Sequence, residues 1–155
     1  MGLLIDTGVL IRVERSAVGE LDFSPWERYG DVAISVITAS ELLAGVHRAV
    51  PESRRIRRSA SVEAMLAALP ILDLTLEVAR IHAELVAALR QQGQTLGAND
   101  AFIAATALAS GHALLTTDVG DFSRVPGLDV LPFDQPVATP ATDTGAGSGT
   151  DDPAP

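Results

Sequence analysis

Four carboxylates in this sequence stand where apolar segments begin or end. Asp6 closes the run Leu3-Leu4-Ile5, and Asp118 closes Ala113-Leu114-Leu115-Thr116-Thr117. Glu41 follows the apolar stretch Val32–Val36, and Asp100 opens the segment Asn99–Ser110. Carboxylates brought together with no Lys, Arg or His among them repel one another, and a divalent cation relieves that repulsion. Mg²⁺ and Mn²⁺ favour hard oxygen ligands and commonly bind through a few carboxylates plus substrate phosphate. Such an ion acidifies water and offsets charge building on phosphorus oxygens, so phosphodiester hydrolysis is the reaction the set suits.

Positioning these acids falls to alternating strands and helices. Leu3–Ile5, Val32–Val36, Pro70–Leu74, Ala113–Thr117 and Leu128–Leu131 read as short strands. Helices are predicted from Val9 to Arg15, from Thr38 to about Arg48, from Pro51 to Leu69, from Thr75 to Gln92 and from Asn99 to Ser110. The clearest is Thr75–Gln92, where Val78, Ile81, Leu85 and Leu89 recur at helical spacing and Gly93 stops the pattern. Pro25 and Trp26 suggest a further short helix or turn. Apolar strands separated by helices imply an α/β fold, a three-layer α/β/α sandwich around a mainly parallel sheet of about five strands. Ligands of such sheets bind beyond the carboxyl ends of the strands, where all four acids would meet.

Composition narrows the chemistry further. The chain has no cysteine and no lysine, all eleven basic residues being arginine. Thiolate metal sites, cysteine nucleophiles, P-loop enzymes and Schiff-base enzymes are thereby excluded. Phosphatases and phospho-accepting domains that place an Asp after their first strand normally also use a lysine, which is absent here. His47, His82 and His112 share no spacing that suggests a triad or zinc site. The net charge of −9 is adverse for binding a polyanion unless cations bridge the acids to phosphate. No apolar run approaches the roughly 20 residues of a spanning helix. The opening Met1–Asp6 lacks the basic start of a signal peptide, so a soluble, cytoplasmic protein without a membrane partner is expected. Residues 1–134 are expected to form one domain. Residues 135–155, rich in Pro, Thr, Gly and Asp, are expected to be a disordered tail.

In four ordered segments the chain resembles PIN-domain nucleases: Leu3–Ile11, Ser35–Gly45, Asn99–Ala107 and Leu114–Phe122. The likeness spans roughly Met1 to Phe133. It implies a PIN-like fold and a Mg²⁺-dependent endoribonuclease, with Mn²⁺ as a substitute, at this length usually a VapC-type toxin. Cleavage is then expected by in-line attack of a metal-activated water. Matched position by position, Asp6, Glu41, Asp100 and Asp118 form the catalytic and metal-binding set, with Asp121 an alternative fourth acid. Thr7, Ser40, Asn99 and Thr116 are the groups expected to orient carboxylates or water. The resemblance also implies a small antitoxin partner, operator DNA bound only through that antitoxin, and a homodimer or higher heteromer. The alternatives are a PIN-type nuclease of RNA maturation without an antitoxin, and a non-catalytic binding module of the same fold.

Several of these residues have structural readings beside the chemical one. Thr38-Ala39-Ser40-Glu41 fits a capping box, in which Glu41 bonds the helix start. Asp100 could favour a helix N-terminus through the dipole, and Asp118 could be a turn residue before Gly120. The cluster Arg54, Arg55, Arg57, Arg58 is the one basic patch. Arg54, Arg57 and Arg58, with Arg12, are candidate RNA contacts, the other reading being a solvated face paired with nearby acids. Trp26 and Tyr29 could stack bases, although packing at the domain edge is favoured.

Overall fold

The computed structural model describes residues 2–15 and 24–134. Within these, five strands form one sheet in the order β3-β2-β1-β4-β5. The strands are β1 (Leu3–Ile5), β2 (Val32–Ser35), β3 (Ile71–Leu72), β4 (Ala113–Thr116) and β5 (Val130–Pro132). Every pairing is parallel, with Leu4 opposite Ala33 on one side and Leu114 on the other. The sheet is thus wholly parallel.

Helices connect the strands and cover both faces. They are α1 (Thr7–Glu14), α2 (Val36–His47), α3 (Glu52–Ala68), α4 (Leu76–Gln91), α5 (Ala98–Ser110) and the single turn α6 (Val119–Phe122), with a 3-10 turn at Ser24–Tyr29. Alternation along each strand divides the core in two. Leu3, Ile5, Ile34, Ala113 and Leu115 face α1, α2 and α3, where Val9, Leu10, Leu42 and Val62 meet them. Leu4, Ala33 and Leu114 face the other way, onto Leu85, Leu89, Ile103, Ala104 and Phe122. Of the expected α4 stripe, Val78, Leu85 and Leu89 are buried. Gly111 ends α5 at φ +65°, a left-handed conformation that glycine adopts without penalty.

Three boundaries differ from the sequence reading in ways that bear on the acids. The apolar run Val32–Val36 leaves the sheet one residue early, because Ser35 caps α2 by accepting from the Thr38 amide at 3.0 Å. Glu41 therefore lies in the second turn of α2, and the capping-box role for it is incorrect. The expected strand Pro70–Leu74 contracts to Ile71–Leu72 at the sheet edge, and the fifth strand shifts to Val130–Pro132. Residues 135–155, expected to be disordered, lie outside the described residues, as do 16–23. Among the described residues no helix is long and apolar enough to cross a membrane.

Candidate active site

Asp6 follows the last residue of β1 and stands as the N-cap of α1, in extended backbone at ψ 152°. Its carboxylate is buried, only 6% exposed. Thr116, at the end of neighbouring β4, donates its hydroxyl to Asp6 Oδ2 at 2.7 Å. The same Thr116 oxygen accepts from the Asp118 amide at 2.9 Å. A single hydroxyl at the strand end therefore fixes one acid and the backbone of another.

Glu41 projects from α2 and is held from two sides. The Thr7 hydroxyl donates to its Oε2, and the Asn99 side-chain amide donates to its Oε1 at 2.8 Å. These two bonds tie together the starts of α1 and α5 across α2. Asp100 sits in the first turn of α5, beside Asn99. Asp118 caps the short α6, its Oδ1 accepting from the Asp121 amide at 3.2 Å. All of these groups lie at the carboxyl ends of β1, β2 and β4, the edge the parallel topology predicts.

Electrostatics show that the acids share one field. Asp100 is raised above the usual carboxylate value, first by burial and then by the charges of Asp6, Glu41, Asp118 and Asp121. Asp6 is also raised, by burial foremost and in part by Glu41. The Thr116 hydroxyl and the backbone amides of Thr7 and Gly8 oppose that shift. As the side chains stand, no group of three among the described residues closes into a cage for a metal ion. In chemical type the set fits a hard divalent cation, being oxygen donors that destabilise one another's charged forms. Asp6 and Asp100, with Glu41 and Asp118, are the residues that could hold one.

Asp121 is differently engaged. Arg124 Nη2 pairs with its Oδ1 at 2.8 Å, while Arg124 Nη1 reaches the Thr95 carbonyl at 3.5 Å. Its charge is thus partly balanced within the protein, unlike that of Asp100. Of the groups expected to orient the acids, Thr7, Asn99 and Thr116 do so. Ser40 is exposed and takes no part in these bonds; the hydroxyl that organises α2 is Ser35.

Two glycines and a threonine escaped the sequence reading. A Cβ on Gly97 would come within 2.5 Å of Asp100 Oδ2, and one on Gly8 within 2.5 Å of the Thr117 hydroxyl and 3.5 Å of Asp6 Oδ2. A Cβ at either place would have to displace the Asp100 carboxylate or the Thr117 hydroxyl, and glycine leaves both where they stand. The Asp6-Thr7-Gly8 triplet and the Gly97 just before α5 were the available signals.

The arginines divide. Arg12 is exposed, with its Nη1 reaching the Phe133 carbonyl at 3.4 Å and its guanidinium 5.7 Å from the Phe133 ring. It fastens the end of β5. Trp26 is buried and stacks on the same ring at 5.7 Å, a packing role. Arg54, Arg57 and Arg58 line a separate cleft between α1 and α3.

Known proteins resemble the chain in sequence and in fold. The PIN domain pattern covers residues 3–128. Ribonuclease VapC1 of Rickettsia felis is 40% identical over 131 residues, spanning 84% of this chain and 96% of that protein. The crystal structure of VapBC2 from Rickettsia felis bound to a DNA fragment from their promoter superposes with a TM-score of 0.76 at 24% identity. That alignment covers 86% of this chain and 100% of the other. VapBC-5 from Mycobacterium tuberculosis, a member of the VapBC family of toxin-antitoxin systems, aligns at 29% identity with a TM-score of 0.65, covering 85% and 96% of the two chains.

Proposed function

The chain belongs to the PIN-domain family, in its VapC group, and from that membership we propose a divalent-metal-dependent endoribonuclease acting as the toxin of a toxin–antitoxin pair. The observation that carries the reading is the gathering of Asp6, Glu41, Asp100 and Asp118 at one sheet edge, tied together by the hydrogen bonds of Thr7, Asn99 and Thr116. An acid set of this kind is costly to a bare protein and suits one that binds a cation. Asp6 and Asp100 are the principal ligands, with Glu41 and Asp118 completing the set. Asp121, paired with Arg124, is the weaker candidate for the fourth acid.

When bound, Mg²⁺ or Mn²⁺ supplies Lewis-acid polarisation and an acidified water for in-line hydrolysis of an RNA phosphodiester. The chain's own contribution is orientation. Thr116 fixes Asp6 Oδ2, and the Thr7 and Gly8 backbone amides act on the same carboxylate. Thr7 and Asn99 hold Glu41 at a set angle, so the acid edge is largely organised before substrate arrives. The expected products carry a 5′-phosphate and a 3′-hydroxyl. In this reading the cytoplasm is the place of action and residues 1–134 form the nuclease domain. A small antitoxin is the partner, with operator DNA contacted through it and the toxin itself a homodimer. The VapBC complexes to which the fold is similar support the antitoxin.

The test is cleavage of total RNA by the purified protein with Mg²⁺ or Mn²⁺ and with EDTA. Asp100→Asn and Asp6→Ala should lower the rate by about 10²-fold or more while the fold is retained. Undiminished cleavage in EDTA, or by either variant, overturns the proposal. Growth arrest on induction, relieved by co-expressing a short neighbouring reading frame, tests the toxin role.

A further inference from the structure

Away from the acid edge, the C-terminal end of α1 and the outer side of α3 enclose a cleft of about 350 Å³ lined by Glu14, Arg15, Arg54, Arg57, Arg58 and Ser61. Four of the chain's eleven basic residues are gathered here. The only acid of the lining, Glu14, is taken: Arg58 Nε lies 3.3 Å from its Oε1, the two side chains being 15% and 13% exposed. That Nε is buried and has no aligned hydrogen-bond acceptor. Arg15, Arg54 and Arg57 are exposed and have no ion pair among the described residues. Arg54, Arg57 and Ser61 form one row on α3. In a protein of net charge −9, this is a local positive field with unused guanidinium forks.

We propose that this cleft binds the phosphate backbone of the RNA strand whose scissile bond lies at the acid edge. This rests on the nuclease reading above. The cleft and the acids are linked through α1, which carries both, and through α2, which carries Glu41 and packs on α3. Asp6 caps the start of α1, and Glu14 and Arg15 close it about 12 Å away at helical rise. Arg58 packs against Gly45, where a Cβ would sit 2.7 Å from its Nη2, and Gly45 is one turn of α2, about 6 Å, from Glu41. A strand seated at the acids passes within reach of the arginines, whereas a single nucleotide does not span the interval. Planar guanidinium forks suit phosphate oxygens. Holding a polyanion against five carboxylates needs attraction elsewhere on the surface.

The test uses the double variant Arg54→Ala/Arg57→Ala, both sites being solvent-exposed, with Arg55→Ala as control. Arg55 is on the same helix but is already paired with Glu52 at 3.2 Å. Binding of a fluorescein-labelled single-stranded RNA of about twelve nucleotides is followed by anisotropy in EDTA, which reads the cleft independently of cleavage. The double variant should bind roughly ten-fold more weakly, with the slope of log K against log salt shallower by about 0.7 for each phosphate no longer neutralised. In Mg²⁺, KM for the same RNA should rise with kcat unchanged, and cleavage of a dinucleotide should not change. Arg55→Ala should behave as wild type. Unaltered anisotropy and salt slope in the double variant overturn the cleft assignment and leave the nuclease reading intact. The same holds if the double variant loses affinity only for the co-purified antitoxin, or if the dinucleotide suffers equally. Absence of metal-dependent cleavage in the wild type, with RNA binding still weakened in the double variant, instead overturns the nuclease reading alone.

Discussion

The Thr116 hydroxyl donates to Asp6 Oδ2 at 2.7 Å and accepts from the Asp118 amide at 2.9 Å, joining residues 110 positions apart in the chain. The side chain is fully buried at the end of β4. It keeps Asp6 anchored where burial and Glu41 both act against its charge.

Thr116→Val preserves shape but removes both bonds. The loss should be about 1–3 kcal/mol, because a buried carboxylate oxygen and an amide are left without partners. Urea unfolding measures it. RNA cleavage should fall as Asp6 loses its orientation, and Thr116→Ser should restore much of both. A Val variant as stable and active as wild type shows that the Thr116 hydroxyl orients nothing.

Asp6 and Asp100 are raised above 3.8 in the fold, so the native state binds their protons more tightly than the unfolded chain does. The stabilisation from these protons is complete below about pH 3.8 and is lost as pH rises through their native values. In EDTA, Asp100→Asn should therefore gain on wild type as pH rises from about 3.8 through the native value of Asp100, the difference levelling off above it. Saturating Mg²⁺ or Mn²⁺ should raise the wild-type Tm and leave that of the Asn variant little changed. A stability difference independent of pH contradicts the shift assigned to Asp100. Thermal melts at several pH values decide the matter.

Gly97→Ala tests the close approach of backbone to carboxylate. Gly97 has φ −54° and ψ 147°, which alanine adopts freely, so the new Cβ acts chiefly by displacing Asp100 Oδ2, 2.5 Å away. Stability should change by no more than about 1 kcal/mol, while cleavage falls about ten-fold or more. Equal activity in the Ala variant shows that the carboxylate's place is not critical.

Ser35→Ala removes the cap that starts α2. The cost should be about 1 kcal/mol or somewhat more, because the site is buried. Glu41 belongs to the helix so released, and its bonds to Thr7 and Asn99 should weaken with it. Chemical denaturation and RNA cleavage should decline together.

This same cap marks where sequence and structure parted. The acids were legible because each follows or opens an apolar run, and a parallel sheet gathers its strand ends at one edge. The start of α2 was not. Val32-Ala33-Ile34-Ser35-Val36 is rich in β-branched residues, and the Ser35 hydroxyl, not strand propensity, ends it. That shift by part of a turn is what converts Glu41 from a capping candidate into a side chain facing Thr7 and Asn99. Gly97 and Thr117 were missed because their importance is a distance to another residue's side chain or backbone, which spacing does not encode. The contact of Arg12 with the Phe133 carbonyl and ring was not legible either, because it joins residues 121 positions apart. The short β3 reflects its edge place, where Ile71 stays partly in solvent and Leu72 is drawn further under cover.

β1 lies between β2 and β4, so the middle of the sheet waits for residues from 113 onward. During synthesis Asp6 and Glu41 leave the ribosome well before Asp100 and Asp118, and domains assemble from their earlier segments first. A nascent chain therefore carries Asp6 and Glu41 before Asp100 and Asp118 can join them. In the nuclease proposed above, strand order alone thus delays assembly of the full acid set until β4 has joined the sheet.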